Sequence, residues 1–319
     1  MGKIMDKNQT LHRLVDKVGT LHPAYTSMNK VVHEVAREMM LDYSVETKAD
    51  FVLSTKSKMV SYSKLNPDPK AIYLMHSPLI SMTDFEGLIR KSRLLIHEEY
   101  QPTGGKRDVV ASRVLRLFGS KIFLSSTKRT HSFLERLSLC SILIPPACEE
   151  RLATNERDFY LFVGKMIPSK NPEFVLKLAR AMPEEKFVMI GAGPLFELIM
   201  QTKPKNVALL ANVESPFWYY TRAKALIHPA LKDPIGFVVV EALSCGTPVI
   251  CSNGAGASDY LPPEWVMSTF NLSGWEFALK CADGKAGLVK AKQVFKRGHL
   301  DINDSYFTEI AKTLAGMIA

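Results

Sequence analysis

Apolar positions along this chain fall into two alternating patterns. Short runs rich in β-branched and aromatic residues alternate with segments whose apolar positions recur at helical spacing, which is the arrangement of βαβ units and a parallel sheet. In the first half, Phe51–Ser54, Ala71–Met75, Lys121–Ser125 and Ser141–Ile144 read as strands, separated by amphipathic stretches near 27–42, 84–93, 107–119 and 127–137. The second half is more regular, with strands expected at Tyr160–Val163, Phe187–Ile190, Val207–Leu210, Leu226–His228 and Pro248–Cys251, each followed by a helical segment. Residues 285–296 and 304–318 read as closing helices, the last with Asp304 in the N-cap position.

Both periods break at Pro145-Pro146, and the charged stretch from Glu149-Glu150-Arg151 to Asp158 continues the break, so a linker is expected there. A chain of 319 residues suits two domains of this kind, each large enough for its own core. The division expected is 1–150, 151–303, and a final helical segment over 304–319.

Composition narrows the class. Hydrophobic residues at 46% and charged residues at 23% are close to globular averages, which excludes disorder and low complexity. No apolar run reaches the roughly 18 residues of a membrane span, and no secretory signal is read at the N-terminus. The 5 cysteines contain no C-x-x-C pair, so neither a disulfide framework nor a zinc site is expected, and a reducing cytoplasm is the expected compartment. The net charge of +9 is uneven: residues 1–150 hold 22 Lys and Arg against 16 Asp and Glu, and residues 151–319 hold 19 against 16. Such an excess suits a solvated surface, an anionic membrane or a phosphorylated substrate. Nucleic acid is not an expected partner, since no helix-turn-helix, zinc-finger or RNA-recognition signature accompanies the charge.

Ligands of parallel sheets sit at the carboxyl ends of strands, so the segments after each strand carry the candidate chemistry. Gly164-Lys165-Met166-Ile167-Pro168-Ser169-Lys170 offers a glycine that admits a phosphate and two lysines able to flank a diphosphate; the alternative is a pair of solvated loop lysines. Gly191-Ala192-Gly193-Pro194 is a turn into a helix, but Phe196 stands where the third glycine of a dinucleotide fingerprint belongs, which argues against a dehydrogenase. The stretch from His228 to Ile250 is the most informative. Gly236 marks a helix start, and Glu241 is the lone acid of an otherwise apolar helix, flanked by Val238, Val239, Val240, Ala242 and Leu243. A carboxylate buried there needs a hydrogen-bonding partner, in the protein or in a ligand such as the vicinal diol of a ribose.

In order and spacing, Gly164–Lys170, Gly191–Leu195, Asp233 through Glu241 with Ala242, Gly246–Val249, and Asn253-Gly254-Ala255-Gly256-Ala257-Ser258-Asp259 resemble the retaining GT-B glycosyltransferases of family four, the glycosyl transferases group 1. The resemblance covers about residues 158–262. It implies an α/β architecture of two Rossmann-like doubly wound domains facing a cleft, with a C-terminal helix crossing back to the first domain. It also implies that Lys165 and Lys170, with Gly164, bind the diphosphate of a nucleoside diphosphate sugar. Amides beginning at Gly236 and continuing through Phe237 and Val238 would cradle a phosphate, and Glu241 would hold the ribose. Asp233 takes the position of the first acid, facing the donor sugar and the reacting centre. Ala71-Ile72-Tyr73-Leu74-Met75-His76-Ser77-Pro78 resembles the strand ending in His-Ser-Pro of some members, which makes His76 a candidate catalytic residue.

The implied activity is transfer of a hexose from a UDP- or GDP-linked donor to a glycan or lipid-linked acceptor with retention at the anomeric carbon. Neither a metal nor a cofactor is expected, since no Asp-x-Asp pair is present and lysines with a helix dipole neutralise the leaving diphosphate. A peripheral position at the inner face of an anionic membrane fits the basic first half. The competing reading is a non-catalytic nucleotide-sugar binder, or a subunit that needs a partner to complete its acceptor site. Departures from the pattern motivate it: Asp233 stands where Glu is usual, Lys165 where Arg is commoner, and residues 1–45 show no clear opening strand and Gly-rich loop.

Overall fold

The computed structural model describes residues 72–76, 93–98, 100–116, 119–151, 157–298, 300, 310, 312–314, 316 and 317. The expected strand Phe51–Ser54 and the helical stretches near 27–42 and 84–92 lie outside these residues, as does most of 304–318. The chain divides into two compact units at Ile144/Pro145, the second running to Ile302, and the stretch from Asn303 groups with the first.

Among the described residues, the first unit holds a parallel four-stranded sheet in the order β1 (Ile72–His76), β2 (Arg93–Glu98), β3 (Ile122–Ser125), β4 (Ser141–Leu143). Helix α1 (Lys106–Arg116) joins β2 to β3, and α2 (Lys128–Arg136) joins β3 to β4. Strand β2 is absent from the sequence expectation, which ended a helix at Arg93. Its apolar core is only Leu94-Leu95-Ile96, and so short a run satisfies helix and strand patterns alike. Pairing with both β1 and β3 settles it as strand. Asp108 fastens the start of α1: its carboxylate accepts from Tyr100 Oη at 2.6 Å and from the Gly104 amide at 2.7 Å.

The second unit is a six-stranded parallel sheet in the order β10-β9-β8-β5-β6-β7. Its strands are β5 (Phe159–Val163), β6 (Phe187–Ile190), β7 (Val207–Leu210), β8 (Ala223–His228), β9 (Val249–Ser252) and the two-residue β10 (Val266–Met267). Between them run α3 (Pro172–Ala181), α4 (Phe196–Thr202), α5 (Phe217–Arg222) and α6 (Phe237–Ser244), and α7 (Leu272–Ala282) and α8 (Lys285–Arg297) follow β10. β5 and β8 are buried almost throughout, as expected of central strands covered on both faces. The apolar sequence of α6 has the same cause. It packs against α5, α8 and strands β8 and β9, so nearly every side of it meets protein. β10 escaped the sequence reading because two residues carry no detectable period.

Candidate functional site

The order of the second sheet places the site. From β5 the chain steps outward through β6 to β7, then returns to place β8 on the opposite side of β5. The loops leaving the carboxyl ends of β5 and β8 therefore diverge to opposite faces, and the crevice between them is the switch point at which open α/β sheets bind ligands. The β5 loop carries Gly164 to Asn171 and the β8 loop carries Pro229 to Gly236.

Backbone contacts hold these loops in fixed register. Ser169 O accepts from the Leu231 and Lys232 amides at 2.8 and 3.1 Å, joining the 3-10 turn Pro168–Lys170 to the β8 loop. From the β9 side, the Asp233 amide donates to Gly254 O at 3.0 Å and the Gly256 amide donates to Asp233 O at 2.9 Å. The glycines of Gly191-Ala192-Gly193 have a structural duty. Both have positive φ, 146° and 151°, and a Cβ would stand 1.9 Å from Gly164 O at the first and 2.6 Å from Met166 O at the second. Only a chain without side chains there lets the β6 loop pass so close to the β5 loop. The Met166 amide bonds Ala192 O at 2.9 Å and the Leu195 amide bonds Met166 O at 3.0 Å, completing the clamp.

Within this frame Lys170 and Asp233 meet. The Lys170 ammonium lies 2.5 Å from Asp233 Oδ2, and His228 Nε2 lies 3.0 Å from the same oxygen. Asp233 is 8% exposed. Burial by itself pushes its carboxyl upward, but the hydrogen bond and charge of His228, then the Lys170 charge, outweigh it and hold the group well below the usual carboxylate range. Lys165 is exposed and makes no ion pair among the described residues. Gly164, whose amide donates to Ile190 O at 3.0 Å, keeps the β5 loop against the end of β6.

Gly236 caps α6 with φ 84° and ψ 54°, a left-handed conformation suited to glycine. Phe237 and Val238 form the first turn, where helix amides lack intrahelical acceptors and the dipole favours an anion. Glu241 follows, 8% exposed, and its partner is now identified: the fully buried Tyr220 donates its hydroxyl to Glu241 Oε2 at 2.8 Å. The internal partner is thus a phenol from α5. No hydrogen bond from the described residues reaches Oε1. Burial raises the Glu241 carboxyl above its ordinary value, with Tyr220 and the charge of Arg151 opposing it in part.

His76 closes β1 in the first unit, and its side chain lies outside the described residues. Two residues escaped assignment from sequence alone. His228 was visible only as the last residue of a strand before a loop, and Tyr220 as one of four consecutive aromatic residues, Phe217-Trp218-Tyr219-Tyr220, with nothing local to tie it to Glu241. Among the described residues no group of three His, Cys, Asp or Glu side chains is placed to hold a metal ion, and no helix is long and apolar enough to cross a membrane.

A parallel sheet in which β7-β6-β5-β8-β9-β10 follows the 3-2-1-4-5-6 order, with a lysine, two carboxylates and a helix N-terminus on its switch-point edge, defines a Rossmann-like, doubly wound class of fold. Residues 148–264 match the model of the family described as glycosyl transferases group 1. Among curated relatives, the O-antigen chain mannosyltransferase B of Escherichia coli is 29% identical over 108 residues, 30% of this chain and 28% of the relative. A D-inositol 3-phosphate glycosyltransferase of Mycobacterium sp. (strain KMS) is 28% identical over 110 residues, 30% of this chain and 24% of the relative. The matched part thus spans less than a third of each relative's length. Among solved structures, Anabaena Alr3699/HepE in complex with UDP superposes with a TM-score of 0.59 at 14% identity, covering 72% of this chain and 74% of that one. The fold is that of the GT-B glycosyltransferases.

Proposed function

We propose that this chain transfers a hexose from a UDP- or GDP-linked donor to a glycan or lipid-linked acceptor, with retention at the anomeric carbon. The observation that carries the reading is the gathering of Lys170, Asp233, the Gly236 helix start and Glu241 along one carboxyl edge of the switch-point sheet. In this reading Glu241 accepts the ribose hydroxyls through Oε1, the oxygen Tyr220 does not use. Amides of Gly236, Phe237 and Val238 meet a phosphate, while Lys170 and Lys165 neutralise charge as the diphosphate departs. Asp233 and His76 act toward the sugar and the reacting centre. The nucleotide class draws support from the UDP bound in the Anabaena structure and from the sugar transfer named in both curated relatives. An anionic membrane surface suits a lipid-linked acceptor and the basic first half.

Calorimetric titration with UDP, GDP and ADP, on the wild type and on Glu241→Ala, tests the donor site. Selective binding of one nucleotide, weakened at least tenfold in the variant, is expected. Failure to bind any of the three refutes the reading. Activity with the matching nucleotide sugar then separates a transferase from a non-catalytic binder, and transfer is expected to persist in EDTA because lysines and the helix dipole supply the positive charge.

A further inference from the structure

One deeply buried polar side chain of the site has no duty in the scheme above. His228 is 2% exposed, its Nε2 lies 3.0 Å from Asp233 Oδ2, and its Nδ1 has no hydrogen-bond partner among the described residues. The ring therefore has one working edge. A carboxylate only accepts, so Nε2 must carry a proton and donate it to Asp233. Lys170 comes to the same oxygen from the β5 loop, 2.5 Å away, so a single atom is shared by a donor on β8 and a cation on the β5 loop. The ring also abuts the helix start: a Cβ on Gly236 would stand 3.6 Å from His228 Nε2.

We propose that His228 is a positioning residue of the donor site: its Nε2–H fixes Asp233, and Asp233 holds the Lys170 ammonium poised at the switch point, from which it passes to the diphosphate of the donor. The inference rests on the nucleotide-sugar reading for its last step only. A lysine has four rotatable bonds, and an untethered ammonium loses much of that freedom when it grips a phosphate. A carboxylate that is itself immobilised by a second donor removes that loss in advance. Because Asp is the shortest acid available, its Oδ2 needs a rigid support from β8 to stay within reach of Lys170. His228, the last residue of that strand, supplies it. No proton moves in the exchange; Lys170 trades one anionic partner for another.

The test begins without any nucleotide. Competitive acetylation of the full chain, read by mass spectrometry, gives the labelling rate of Lys170 relative to the exposed Lys165 in the same molecule. His228→Leu and His228→Asn both lose the reach to Asp233 and should raise this ratio about threefold or more. His228→Gln places an amide N–H near the Nε2 position and should leave it within about twofold of wild type. His228→Asn keeps a polar side chain in the site and serves if the leucine variant does not fold. An unchanged ratio in both, or a rise in His228→Gln equal to theirs, overturns the positioning role. UDP and UMP affinities provide the second arm. His228→Asn should weaken UDP about tenfold and UMP less than twofold; equal losses overturn the link to the diphosphate. If the wild type binds neither UDP nor UMP, the nucleotide reading fails for those ligands, while the acetylation ratio still decides whether His228 positions Lys170.

Discussion

Tyr220→Phe isolates one oxygen. It leaves the ring packing of α5 in place and removes the hydroxyl that donates to Glu241 Oε2 at 2.8 Å. Both partners are buried, Tyr220 fully and Glu241 to 8% exposure, so water does not easily replace the lost donor. Leaving a buried acceptor unsatisfied costs about 1–3 kcal/mol, toward the upper end when the acceptor is ionised. The cost depends on pH, and its sign follows from the direction of the Glu241 shift. Burial raises that carboxyl above its ordinary value, so the folded protein binds the proton more tightly than the unfolded chain, and stability from this group falls as pH rises through the raised range. Tyr220 opposes the shift, so its loss raises the carboxyl further and steepens the fall. Urea unfolding at about pH 5 and pH 8 measures this directly. All 3 tryptophans, Trp218, Trp265 and Trp275, belong to the second unit, so their fluorescence follows that unit alone. With a urea slope of about 2 kcal/mol/M, a loss of about 2 kcal/mol lowers the midpoint by about 1 M. The variant should lose more at pH 8 than at pH 5. Equal losses at the two pH values, or a gain at pH 8, would refute the argument that an ionisable Glu241 leans on this phenol.

Three further expectations use other parts of the site. Gly191→Ala sets a Cβ 1.9 Å from Gly164 O at a φ of 146°, so the β5 and β6 loops must part; overpacking and backbone strain together should cost about 2–5 kcal/mol, read by the same fluorescence. Asp233→Asn removes the charge shared by Lys170 and His228 and should cost about 1–3 kcal/mol at neutral pH, discounted because Lys170 is partly solvated. Since the Asp233 carboxyl is depressed, its stabilisation is fully present above the ordinary Asp range and fades as pH falls toward the depressed value, so the gap between variant and wild type should narrow in urea titrations at about pH 3. Gly236→Ala introduces a side chain at a φ of 84°, with the Cβ 3.3 Å from that of Ala257, and should weaken nucleotide binding in calorimetry by moving the first turn of α6.

Most elements of the second unit were legible because each is a local pattern. The runs at 187–190 and 207–210 coincide with β6 and β7, and helix 285–296 differs from α8 by one residue. Strands β2 and β10 were not legible, since the first is too short an apolar run to choose between periods and the second has only two residues. In the site, the glycines of Gly191-Ala192-Gly193 were readable as a turn, yet their reason lies 25 or more residues upstream, in the backbone of Gly164 and Met166.

Local order is what the amino-acid sequence determines by itself here: alternating strand and helix periods, a glycine at the start of α6, and a lone acid inside an apolar helix. These follow from side-chain spacing, backbone freedom and the cost of burying charge, and each acts over a few residues. Partnership is what only the tertiary structure decides. That Glu241 rests on Tyr220, that Lys170 and His228 share one oxygen of Asp233, and that the β5 loop touches the β6 loop all depend on strand order in the sheet. Strand order is set by long-range packing, and no spacing along the chain encodes it.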